Sequence, residues 1–83
     1  MISKDEFRAA VIEGIKRVKD IDTVDIGNDE DFANVGLDSL DAMDLVLQVE
    51  ALTGLNFGEF DPSQARNIDA FYGKAEELFG GNA

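Results

Sequence analysis

Ser39 stands in the stretch Gly36-Leu37-Asp38-Ser39-Leu40-Asp41, one hydroxyl between two acidic residues. A serine hydroxyl can be phosphorylated or acylated, but it is a weak nucleophile until a base activates it. This chain supplies no such base. It has no histidine and no cysteine, which removes Ser-His-Asp and Cys-His catalysis, thiolate chemistry and the usual zinc ligands. No residue set here could run a reaction alone.

The position of Ser39 is set by a helix start. Asp38 is a good N-cap and Asp41 follows three residues later, so a helix begins after Asp38. Leu40, Met43, Leu45, Val46, Leu47, Val49 and Leu52 follow, and Gly54 is a stop. Seven apolar residues exceed what one narrow stripe can hold, so part of them must face outward.

Ahead of it, Ser3 and Glu6 fit a capping box and Ile2 can staple onto Phe7. Phe7, Ala10, Val11, Ile15 and Val18 recur at helical spacing, and Lys16, Arg17 and Lys19 suit the negative end of the dipole. A first helix is expected over about 4–19. Residues 20–37 show no sustained period, and Val24, Ile26, Phe32, Val35 and Leu37 would pin this long loop to a core. Asp61-Pro62 opens a short third helix ending near Arg66. Asn67 caps a fourth, with Ile68, Phe71, Tyr72, Ala75, Leu78 and Phe79 on its apolar face and Gly80-Gly81 at its end. The expected fold is all-α: one domain over residues 1–83, three main helices and one short one, with a long loop between the first two.

The 83 residues carry a net charge of −11. Residues 20–65 contain twelve acidic and no basic residues. Such a field repels nucleic acid and anionic lipid and favours basic patches on protein partners. No run approaches membrane-spanning length, so a soluble cytoplasmic monomer is expected. The acidic loop invites a calcium site, but it fails the EF-hand template. Counted from Asp20, position six is Asp25 and position twelve is Asp31; counted from Asp25, they are Glu30 and Gly36. No specific metal site is expected.

The stretch Gly36-Leu37-Asp38-Ser39-Leu40, continued by Asp41-Ala42-Met43-Asp44-Leu45-Val46, closely resembles the modification motif of acyl carrier proteins. The likeness covers almost the whole chain in length, acidity, helix order, long first loop and short third helix. It implies that Ser39 receives 4′-phosphopantetheine from coenzyme A through a separate phosphopantetheinyl transferase. The thiol of that arm would carry an acyl group as a thioester, as in fatty acid, polyketide or related lipid synthesis. The resemblance further implies metal and transferase contact for Asp38, where an N-cap role would serve as well, and access for the transferase at Gly36.

On the second helix the resemblance implies a docking face for acyl-loading and biosynthetic enzymes with basic patches. Leu40, Met43 and Leu47 share one stripe, flanked by Asp41, Asp44 and Glu50. It also implies a cleft for the cargo, with Leu45, Val49, Phe57 and Phe71 as candidate walls and ordinary core packing as the plainer account of each. Phe57, Phe60, Phe71 and Tyr72, if they point inward, would shrink that cleft and disfavour long chains. Two other readings stay open: an aminoacyl or peptidyl carrier, a branch that Ala42-Met43 also suits, and an unmodified acidic helical module that binds a basic partner. Gly36-Leu37-Asp38 and the acidity favour the acyl carrier, and the chain reads as free-standing.

Overall fold

The computed structural model describes residues 2–58 and 60–79. Its element order is α1 (Lys4–Lys19), a 3-10 turn (Phe32–Val35), α2 (Ser39–Thr53), a second 3-10 turn (Pro62–Gln64) and α3 (Ile68–Phe79), with no strand among the described residues. The fold is a small all-helical bundle.

α1 begins where its capping box stands: Ser3 Oγ accepts the Glu6 N–H, and the Glu6 carboxylate accepts the Ser3 N–H. It ends at Asp20, whose φ of 55° is left-handed, a conformation aspartate tolerates better than most residues. α2 ends at Gly54 (φ 77°), where glycine takes the left-handed C-cap without a Cβ penalty.

Phe7, Val11 and Ile15 of α1 meet Leu45, Val46 and Val49 of α2 and Ile68, Phe71 and Ala75 of α3 in one core. Phe7 and Phe71 pack edge-to-face with centroids 4.9 Å apart, a preferred geometry for aromatic pairs. α1 approaches α2 closely at Gly14, where an added Cβ would lie 2.8 Å from Leu45 Cδ1.

The loop over residues 20–37 is pinned as its apolar residues suggest, with Ile26, Phe32 and Leu37 buried. Its backbone polar groups are met by neighbours, as burial demands. Arg8 donates to the Asn28 side chain and to the Ile26 carbonyl (2.6 and 2.8 Å), and Phe32 N–H donates to the Arg66 carbonyl (2.8 Å). The 3-10 turn inside the loop has no counterpart in the sequence reading; Asp31 caps it by accepting the Ala33 N–H.

Two local expectations change. The short third helix, expected as a turn or two ending near Arg66, is the 3-10 turn Pro62–Gln64 and stops earlier, since Ala65 already leaves helical geometry. Leu78 does not pack in the core. It lies at the edge of the apolar stripe in the last turn of α3, and is 50% exposed on the rim of a groove with Phe57, Phe60 and Lys74. Asn67 caps α3 by accepting the Ala70 N–H at 2.7 Å. The proposed stop at Gly80-Gly81 lies outside the described residues. No described helix is long and apolar enough to cross a membrane.

Candidate functional site

Ser39 is the first residue of α2 and is exposed. Asp38 and Asp41 form a reciprocal capping box in front of it. Asp38 Oδ1 accepts the Asp41 N–H at 2.8 Å, and Asp41 Oδ2 accepts the Asp38 N–H at 3.2 Å. The two carboxylates are thus occupied with the backbone on either side of Ser39. Among the described residues no hydrogen bond engages the Ser39 hydroxyl, which leaves it open to an incoming group.

The turn before Ser39 is held from two sides. Gly36 ends the 3-10 turn with φ 90°, a conformation that glycine adopts without strain. Its carbonyl accepts from Lys19 Nζ at 3.1 Å, and the same ammonium lies 3.2 Å from Asp41 Oδ2. The hydrogen bond from the Asp38 N–H, assisted by Lys19, holds the Asp41 carboxyl below the usual carboxylate range. Lys19 is the basic residue that reaches this acidic helix start, and sequence reading placed it only as a dipole partner of α1. Its spacing of 22 residues from Asp41 gave no signal of the contact.

A groove of about 200 Å³ opens directly beside the hydroxyl, between α2 and the second 3-10 turn, lined by Ser39, Ala42, Met43, Asp61, Pro62 and Ser63. It continues into a second hollow of about 180 Å³ past Met43 and Pro62 to Leu47, Glu50 and Phe60. The far wall, Asp61 to Ser63, was read in the sequence only as a helix start. Asp61 is committed to that turn, accepting from the Ser63 hydroxyl and N–H, which hold its carboxyl low.

Leu40, Met43 and Leu47 lie on one exposed stripe of α2, at 74%, 55% and 60% exposure. Of the carboxylates expected to flank it, Asp44 is exposed, while Asp41 is turned to Lys19 and Glu50 to the Phe57 N–H at 2.6 Å. Leu45, Val49, Phe57 and Phe71 come together, but inside the core at 5% exposure or less. Among the described residues no group of three or more candidate ligands gathers to hold a metal ion.

An exposed serine with an unengaged hydroxyl, at a helix N-terminus whose dipole favours a phosphate ester, beside a shallow mostly apolar groove, is a fitting place for a tethered phosphorylated arm. No curated protein and no solved structure matches the chain. The family model described as a phosphopantetheine attachment site matches residues 9–69, a span that holds α2, its capped start and both walls of the groove. The chain belongs to this family of phosphopantetheine carriers, whose members bear 4′-phosphopantetheine covalently.

Proposed function

We propose that this protein is an acyl carrier: it holds acyl intermediates as thioesters on an arm attached to Ser39 and presents them to partner enzymes through the outer face of α2. The observation that carries the attachment point is the exposed, unengaged Ser39 hydroxyl at the capped start of α2. In loading, Ser39 Oγ bonds to the phosphorus of coenzyme A that bears pantetheine. The pyrophosphate bond breaks, and adenosine 3′,5′-bisphosphate leaves. The serine proton goes to a base of the transferase, because this chain has no histidine and the Asp38 and Asp41 carboxylates beside Ser39 are engaged with the helix backbone. The attached arm then supplies the thiol that this cysteine-free chain lacks.

The chain's own residues do the positioning. Asp38 and Asp41 fix the first turn of α2, and Lys19 ties that turn to α1. The positive end of the α2 dipole favours the phosphodiester anion, and Lys19 offsets part of the opposing charge of Asp41. Leu40, Met43 and Leu47 offer an apolar stripe beside Asp44, on a chain of net charge −11, which suits a partner surface that is shallow, apolar and rimmed with Lys or Arg. Gly36-Leu37-Asp38 and the strong acidity support an acyl rather than an aminoacyl cargo.

The test is intact mass after incubation with coenzyme A, Mg²⁺ and a broad-specificity phosphopantetheinyl transferase. A gain of one phosphopantetheine, absent in Ser39→Ala, is expected. No gain on folded protein would leave an acidic helical binding module.

A further inference from the structure

We propose that this carrier keeps its cargo in the open groove from Ser39 past Met43 to Phe60, and that Phe57, held through its N–H by Glu50, and Phe60 close the helix interior to it. The inference rests on the carrier reading above and adds the class of cargo: short-chain acyl groups, which gain little from burial and need no interior tunnel.

The interior offers no room. Val49, Phe71, Phe7, Val11, Ile15, Ile68 and Ala75 are all 0% exposed, and a side chain with no water-accessible surface cannot line a void of even one water's size. Aromatic rings from the segment after α2 pack against those of α3. Phe57 meets Phe60, Phe71 and Phe79, each at 5.4 Å between centroids, and Phe60 stacks on Phe71 at 5.6 Å. None of the three surface hollows along α2 and α3 reaches Leu45, Val49 or Phe71.

The entrance is also fastened. Glu50 Oε2 accepts the Phe57 N–H at 2.6 Å, a charge-assisted bond across the turn that follows α2. Thr53 Oγ1 accepts the Leu55 N–H at 3.2 Å in the same turn. A chain that entered here would have to displace the rings of Phe60 and Phe57, and the Glu50 bond holds the Phe57 backbone in place. The groove outside needs no such opening. It begins at the attachment residue and ends against Phe60, with Met43 and Pro62 shared by its two halves. A chain lying there keeps one side in water, so each added methylene recovers only part of the free energy of full burial.

The test installs butyryl, octanoyl and dodecanoyl arms on Ser39 from the matching acyl-coenzyme A with a broad-specificity transferase, with intact mass confirming each. Two readouts follow: Tm, and the rate at which hydroxylamine cleaves the thioester. In the unsubstituted protein, Tm is expected to rise by no more than about 2 °C from the butyryl to the dodecanoyl form and cleavage rates to agree within about twofold, since a chain in the open groove keeps one side in water. In Phe60→Ala, and separately in Glu50→Ala, the dodecanoyl form is expected to gain several degrees over the butyryl form and to be cleaved several-fold more slowly. Length-dependent protection in the unsubstituted protein would overturn the proposal while leaving the carrier reading intact. Flat behaviour in both variants would remove Phe57 and Phe60 as the barrier and overturn it too. Absence of any mass gain would instead strike the carrier reading itself.

Discussion

Lys19 Nζ lies 3.2 Å from Asp41 Oδ2 and 3.1 Å from the Gly36 carbonyl oxygen, so one ammonium on α1 grips both sides of the turn that carries Ser39. Residues 20–65 contain no other cation to take its place. The side chains of the pair are 33% and 24% exposed, so water and salt screen the attraction only in part. Lys19→Met keeps the apolar stem and removes the charge. It is expected to lower Tm by roughly 2–5 °C and to slow loading by about threefold, with most of the loss recovered in Lys19→Arg. Thermal melts and loading rates on the three proteins check this. A variant that melts lower but loads at the original rate would confine Lys19 to stability.

Three carboxylates are held below the usual carboxylate range. Asp41 is held low by the Asp38 N–H and by Lys19, Asp31 by the Ala33 N–H and by Arg66, and Asp61 by Ser63. A depressed folded pKa contributes stability that is fully present above the unfolded value of about 3.9 and is lost as pH falls through the folded value. Tm is therefore expected to decline below about pH 4, and the decline should be shallower in Asp41→Asn than in the parent. Melts between pH 6 and pH 2 at constant ionic strength measure it. Equal slopes would show that the Asp41 contact does not persist in solution.

What the sequence revealed and what it hid divide by distance along the chain. The capping boxes at Ser3 and Asp38, the Asn67 cap and the Gly54 stop were legible because each is a contact over three or four residues. The outward stripe of Leu40, Met43 and Leu47 was legible because α2 holds more apolar residues than a core face can use. Lys19 with Gly36, Arg8 with Asn28 and the Asp61–Ser63 wall of the groove were not legible, since they depend on how α1, the long loop and the second 3-10 turn come together. Glu50 looked like a surface charge by its spacing from Met43 and Leu47, and only the turn after α2 brings the Phe57 N–H to it.

Gly14 illustrates the same limit, because a glycine inside a helical pattern signals close approach without naming the neighbour. Its absent Cβ leaves room for Leu45 Cδ1, which a methyl would approach to 2.8 Å. Alanine gains up to about 1 kcal/mol of helix propensity, but forcing a packed core apart costs about 1–3 kcal/mol. Gly14→Ala is expected to destabilise by about 1 kcal/mol net. In a Leu45→Val background the same change should be neutral or stabilising, a coupling that urea denaturation of the four proteins would measure.

The exposed stripe of α2 separates docking from folding. Leu47 is 60% exposed, so Leu47→Glu removes little buried area and should shift Tm by less than about 2 °C. A negative charge placed in this apolar contact should raise the transferase KM several-fold, with kcat changed less. An unchanged KM would place the transferase contact elsewhere on the chain.

Asp38 has two separable duties, and serine at its position separates them. Its side chain caps α2 by accepting the Asp41 N–H, a bond that a serine hydroxyl also accepts. Its charge is the part that could meet Mg²⁺ or a basic residue of the transferase during transfer to Ser39. Asp38→Ser should therefore keep Tm within roughly 2 °C of the parent, while Asp38→Ala loses the cap and about 1 kcal/mol. Loading should fall by at least about tenfold in both, because both lack the carboxylate. If Asp38→Ser instead loads at the parental rate and only Asp38→Ala is slow, Asp38 serves the helix alone. The metal would then be held wholly by coenzyme A and the transferase.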